Sequence, residues 1–187
     1  MGKADVTRER ILEAAMAEFS AYGVAGARVD RIAKTAGCNK NLIYVYFGNK
    51  ETLFTTVLDK HLSRVYAEMD PTPEDLPGKA GRVFDFAMEN RDLMRLLAWS
   101  NLEEQATEPA ARAMAQDSKV AGIAAAQAEG KTNPDFPADF LLTVVMTLAT
   151  AYTAANPFGH FPEETEDTQA LREHIVEAVR LMTNPAK

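Results

Sequence analysis

Few residues in this chain are arranged to run a reaction. Enzymes show a paired acid and base, or a nucleophile beside its base. Glu103 and Glu104 adjoin, yet neighbours on a helix point about 100° apart and make no dyad. His61, His160 and His174 are far apart in the chain and fall in no metal-ligand spacing. Cys38 is the single cysteine, so an internal disulfide and a cysteine-rich zinc site are both ruled out. Cys38 reads as a packing residue; a redox role needs an exposed thiolate of lowered pKa and a resolving thiol. No Ser/His/Asp set and no glycine-rich phosphate loop occurs. The sequence therefore points away from an enzyme, and to no metal and no cofactor.

Charge points to a binding partner instead. The 187 residues carry a net charge of −7, which by itself argues against nucleic acid. The distribution reverses this. Residues 1–66 hold ten Lys+Arg against seven Asp+Glu, and residues 67–187 hold ten against twenty. A mildly basic head on an acidic body suits a protein whose head alone meets phosphate. Met1 to Arg10 lacks the apolar stretch of a secretion signal. Val6 stands where a myristoylation motif needs Ser or Thr. The longest uncharged run, Phe140 to Pro162, is broken by threonines and turns at Asn156-Pro157. That is short of the roughly 20 apolar residues that span a bilayer. A cytoplasmic protein with no membrane partner is expected.

The elements that must position any site are helices. No clean period-two pattern appears, and apolar residues recur at helical spacing. A first helix is predicted from near Asp5 or Thr7 to Gly23, with Ile11, Leu12, Ala15 and Phe19 on one face. A short second helix carries Val29, Ile32, Ala33 and Ala36 and stops at Gly37. Asn39 can cap a third, anchored by Ile43 and Phe47 and broken by Gly48. Asn49 caps a fourth, which runs to about Met69. The proline-bearing stretch Asp70 to Gly78 reads as a loop. Further helices are predicted over Ala80–Glu89, Arg91–Leu102, Glu108–Glu129, Pro137–Ala155 and Thr168–Thr183. The fold class is all-α, about nine helices, with a three-helix head and a larger helical body.

Residues 28–47 then make two short helices joined by a tight turn. A small residue, Ala33, lies four before Gly37 and lets the helices cross closely. That is the layout of a helix-turn-helix, in which one helix braces and the other enters the major groove. Val29 to Leu53, VDRIAKTAGCNKNLIYVYFGNKETL, resembles the DNA-binding head of the tetracycline-repressor (TetR) family. The matching elements are Ile32-Ala33, Ala36-Gly37, Tyr44-x-Tyr46-Phe47 and Lys50-Glu51-x-Leu53, together with the preceding helix, over roughly residues 7–55. The resemblance implies that Tyr44, Tyr46 and Lys50 hold phosphates. It implies that Lys40 meets phosphate or a base edge, and that Asn39 and Asn41 do either. Arg28 stands where the family usually has a hydroxyl cap; it can reach phosphate but cannot cap. Leu42 and Val45 occupy positions often polar, so Leu42 either meets thymine methyls or packs against the head.

The resemblance divides the chain into a DNA-binding domain, 1–48, and a helical ligand-binding and dimerisation domain, 49–187. It implies a ligand-responsive transcriptional regulator, a repressor released from a double-stranded operator by a small, apolar effector. Tyr66, Phe84, Met88, Trp99, Leu102, Met114 and Met146 are candidates to line the effector pocket; Met suits an adaptable wall. Phe140–Ala155 is uncharged and apolar nearly all round, so it asks for burial on several sides. Its Leu141, Val145, Leu148 and Tyr152, with Leu171, Ile175, Val179 and Met182 of the last helix, are predicted to form a homodimer interface, symmetric about a two-fold axis. Two other readings stand beside this one: a small helical ligand-sequestering protein or enzyme, and an interaction module that has lost DNA.

Overall fold

The structure is a computed structural model. It describes residues 2–68, 72–102, 110–154, 156, 158–163 and 167–184, without the side chains of residues 3, 63–68 and 110–115. Among these residues there are nine helices and no strand. They are α1 (Lys3–Gly26), α2 (Val29–Ala36), α3 (Lys40–Phe47), α4 (Lys50–Glu68), α5 (Leu76–Glu89), α6 (Arg91–Leu102), α7 (Ala110–Ala128), α8 (Ala138–Ala149) and α9 (Thr168–Thr183). None of the described helices is long and apolar enough to cross a membrane. The chain divides into two compact units. One holds the residues up to Val65 and those of α6 from Asp92; the other holds Tyr66–Arg91 and the chain from Ala110.

In the first unit, α1 buries Ile11, Leu12, Ala15 and Phe19. Each large side chain so buried contributes about 1.5–3 kcal/mol. Phe19 meets Phe54 of α4 edge-on, ring centroids 5.2 Å apart. Leu53, Val57, Leu58 and Leu62 continue the buried stripe of α4. Most of α4 thus packs within the first unit. The period of the stripe gave its existence but not the surface it covers.

Gly23 interrupts α1, as expected. The helical run resumes to Gly26 across a kink at Gly23, where φ is +65° and ψ −177°. Essentially only glycine occupies that region. The indole of Trp99, from α6, lies over the kink. A Cβ at position 23 would come within 2.8 Å of the ring, and the indole Nε1 donates to the Ser20 carbonyl at 3.3 Å.

In the second unit, α5 packs on α8 and α9, α7 on α8, and α8 on α9. Their common core holds Leu76, Val83, Phe84, Ile123, Leu141, Leu142, Val145, Ile175 and Val179. Arg172 of α9 donates through Nε to both carboxylate oxygens of Asp85 on α5, at 2.9 and 2.8 Å. Helix α5 begins a turn before the expected Ala80. Asp75 accepts from the Gly78 N–H at 2.8 Å, and Pro77 fits a first turn whose N–H groups need no partner.

Helix α8 ends at Ala149 rather than Ala155. Thr143, Thr147 and Thr150 each turn their hydroxyl to the carbonyl four residues back, at 2.8–2.9 Å. Such back-bonding weakens a helix. The loop after α7 is tied down at both ends. The Gln127 amide donates to the Asn133 and Phe136 carbonyls, and Asn133 N–H donates to the Thr183 carbonyl at 2.8 Å.

The stripe expected at a dimer interface lies largely inside one chain. Leu141, Val145, Ile175 and Val179 are 0–6% exposed within a single chain, because α5 covers that side. Leu148, Tyr152 and Leu171 pack against the same core and are half-buried, as is Met182.

Candidate nucleic-acid interface

The site is built on a turn. Helix α2 ends at Gly37, which has φ +62° and ψ +42°, the left-handed conformation glycine adopts without steric cost. The Cys38 and Gly37 N–H groups fold back to the Ala33 and Lys34 carbonyls, at 3.0 and 3.2 Å. Arg10 reaches from α1 to the Ala36 carbonyl and, at 3.4 Å, to the Gly37 carbonyl. The last α2 carbonyl, that of Ala36, is therefore satisfied from the first helix, and those of Ala33 and Lys34 by the turn itself. Cys38 is half-buried.

The start of α2 is capped in an unforeseen way. Arg28 offers no cap of its own. Instead Glu18 of α1, 9% exposed, accepts from the Arg28 N–H at 2.8 Å. The same carboxylate accepts from Arg31 Nε at 2.8 Å, and Arg31 lies over the Tyr22 ring at 4.4 Å. Burial pushes the Glu18 carboxyl up, but the Arg31 guanidinium and the Arg28 N–H outweigh it, and the net shift is downward. Glu18 is thus an ionised brace between α1 and α2.

Helix α3 has two faces. Ile43 and Phe47 are buried against the head. Lys40, Asn41, Tyr44 and Val45 are exposed, with Tyr44 at 42% and Val45 at 77%. Leu42 and Tyr46 are half-buried, and the Tyr46 ring meets Phe47 edge-on at 6.2 Å. Asn39 caps the helix through its side-chain oxygen, accepting from Asn41 N–H at 2.9 Å. That oxygen is committed, which leaves the Asn39 amide NH2 to offer a base or phosphate. After α3, Asn49 caps α4 by accepting from Thr52 N–H at 2.7 Å. Lys50 is half-buried and bonds the Ala27 carbonyl at 3.4 Å.

Asp30, on the exposed side of α2, bridges two of the predicted DNA-binding cations. Arg28 Nη2 lies 2.8 Å from it and Lys40 Nζ 3.1 Å. Arg28 first, then Lys40, hold the Asp30 carboxyl down at about 2; Asp30 in turn raises the Lys40 ammonium. The structure thus brings Arg28, Asn39, Lys40, Asn41, Leu42, Tyr44, Tyr46 and Lys50 onto two short helices and their flanking turns. Glu18, Asp30, Arg10 and Arg31 were missed. Apart from the Asp30–Arg28 pair and the Arg31–Gly26 bond, the hydrogen-bond partners of their side chains lie 10 to 27 positions away, beyond any local pattern.

An exposed recognition helix with a buried back, braced by a second short helix, is the geometry of major-groove readers. Comparison with known proteins is specific. Residues 11–57 match the domain described as "Bacterial regulatory proteins, tetR family". Residues 75–180 match the "Tetracyclin repressor-like, C-terminal domain". The HTH-type transcriptional repressor SCO4008 of Streptomyces coelicolor is 38% identical over 148 residues, 78% of this chain and 77% of that protein. The chain belongs to the TetR family. It is therefore a member of a family of DNA-binding transcriptional regulators. The repressor NicS of Pseudomonas putida is 34% identical over 113 residues, 54% of this chain and 51% of its own. Among solved structures, the transcriptional regulator SCO4942 of Streptomyces coelicolor superposes with a TM-score of 0.81 at 32% identity, covering 95% of this chain and 98% of that one.

The candidate pocket residues of this TetR-family chain scatter. Phe84 is fully buried, and Met88 and Met146 pack beside it in the second unit's core. Trp99 belongs to the first unit, on the α1 kink, because its ring fills the space a Cβ on Gly23 would need. Leu102 is 73% exposed at the end of α6. The side chains of Tyr66 and Met114 lie outside the described residues.

Proposed function

We propose that this TetR-family protein is a homodimeric repressor. It grips a double-stranded operator with α3 and is released when a small molecule binds its second unit. The observation that carries the reading is the two-faced α3: Ile43 and Phe47 lock one side, and Lys40, Asn41 and Tyr44 are exposed on the other. In this reading Tyr44, Tyr46, Lys50 and Arg28 hold phosphates and set register. Lys40, Asn41 and the Asn39 amide face base edges. Leu42, half-buried beside them, offers its outer methyl to thymine. Repression by similar proteins supports the direction of control: SCO4008 and NicS are both named transcriptional repressors. A ligand switch is supported by the FadR regulator of Bacillus subtilis. It was solved with stearoyl-CoA and shares this fold at a TM-score of 0.64 and 17% identity, over 92% of this chain and 97% of that one. The protein acts in the cytoplasm, where its operator is.

The dimer is assigned to α8 and α9, through the side turned away from α5. Phe140, 46% exposed, shares a face of α8 with Thr143, Val144 and Thr147; Leu181, 72% exposed, shares a face of α9 with His174 and Ala178. Large exposed apolar groups on adjacent helices fit a second copy of the chain, since an isologous contact buries the same patch twice.

The experiment is footprinting on the DNA upstream of the protein's own gene, with gel filtration alongside. A protected pair of half-sites about one helical turn apart, and a dimer in solution, are expected. Protection of no site there or in duplexes selected from random sequence overturns the reading.

A further inference from the structure

Lys79, on α5, is out of place for a lysine. It is 4% exposed, and lysine is almost never fully buried unless paired. Among the described residues it has no carboxylate partner. Its charged neighbours repel it: Lys119 of α7 and Arg82, one turn along α5. Burial first, then Lys119 and Arg82, bring its ammonium down to about 8, and burial lowers Lys119 as well. The acids of the adjoining turn are committed elsewhere. Asp75 accepts from Gly78 N–H and faces Arg82; Glu74 pairs with Lys131. No unpartnered side-chain nitrogen among the described residues is fully sealed. The Lys79 ammonium therefore borders accessible space at the end of a buried stem. On α5, Leu76 and Val83 flank it by one turn each, both in the apolar core with Ile123 of α7.

A buried cation without a counter-charge is costly unless something anionic supplies one. We propose that Lys79, with Lys119 and Arg82 beside it, holds the anionic head of the effector, a carboxylate or phosphate on an apolar body. This rests on the ligand-switched reading above and narrows it: the effector is an amphiphilic acid, not merely an apolar molecule. Lysine meets such a head as a point charge through a charge-assisted hydrogen bond.

The test uses the full-length dimer with octanoate, octyl phosphate and octanol as probes, on wild type, Lys79→Met and Lys79→Gln. Binding is measured by calorimetry and operator release by fluorescence anisotropy. At least one anion is expected to bind wild type roughly tenfold or more tightly than octanol, a preference of the size charge-assisted bonds give. Both variants are expected to lose it. Which anion wins names the head group. The proposal falls if octanol binds as well as the anions, if either folded variant keeps the preference, or if neither anion binds. Anion binding at Lys79 without DNA release keeps this site and sinks the ligand-switch reading. Release by octanol, equal in wild type and Lys79→Met, keeps the switch and sinks this site.

Discussion

Gly23→Ala makes the sharpest structural test, because two separate penalties meet at one methyl group. The backbone at position 23, φ +65° and ψ −177°, costs a non-glycine residue about 1–3 kcal/mol. The new Cβ also comes within 2.8 Å of the Trp99 ring, and overpacking of that kind costs about 1–3 kcal/mol. The sum, roughly 2–6 kcal/mol, is a large part of the 5–15 kcal/mol that holds a typical domain together. The assay is urea denaturation of wild type, Gly23→Ala, Trp99→Ala and the double variant. If the ring is the obstacle, removing it relieves the second penalty and not the first. The double variant should then be more stable than the two single effects predict, by about 1–3 kcal/mol. Strict additivity would refute the contact between α6 and the α1 kink. A loss below about 1 kcal/mol for Gly23→Ala would refute the backbone strain.

Asp30→Asn is expected to tighten DNA binding at low salt. The carboxylate bridges Arg28 and Lys40 and occupies two cations that phosphates could otherwise engage; its loss should steepen the salt dependence by about one to two units of slope. An unchanged slope in anisotropy titrations would contradict the bridge. Lys79 makes a pH prediction. Its ammonium is held at about 8 against 10.5, so the folded chain gives up this proton before the unfolded chain does. The penalty is fully present below pH 8 and is relieved as pH rises from 8 to 10.5. This group therefore adds up to roughly 3 kcal/mol of stability across that window. Lys79→Met should be the more stable protein near neutral pH, with the gap closing towards pH 10. Parallel curves for the two proteins would show that the ammonium is not strained.

The head was readable because its boundaries are chemical. Gly37 and Gly48 take positive φ, and Asn39 and Asn49 cap through their own side chains. Each signal lies within a few residues of what it controls. What escaped lies across the chain. Glu18 caps a helix that begins ten positions later, and Trp99 reaches a carbonyl 79 positions back. Neither leaves a trace in local spacing. Trp99, expected as a pocket wall, packs within the first unit through that bond. In α8 the apolar residues go nearly all round, so periodicity carried no direction. The interior stripe at Leu141 and Val145 and the outer one at Phe140 and Val144 look alike until α5 is placed. Lys79 was invisible because a lone lysine is ordinarily a solvated one.

The central claim is that α3 and its flanks grip DNA through named donors. The direct measurement is the salt dependence of operator binding for wild type and for the triple variant Lys40→Ala, Tyr44→Ala, Lys50→Ala, on one duplex from the protein's own upstream region. Each lost cation–phosphate contact lowers the slope of log K against log salt by about 0.9. With Lys50 as the phosphate-holding lysine lost from each half of a dimer, the predicted fall is about 2 units, with affinity down at least a hundredfold at low salt. A variant that stays folded, binds as tightly and keeps the wild-type slope would contradict the account.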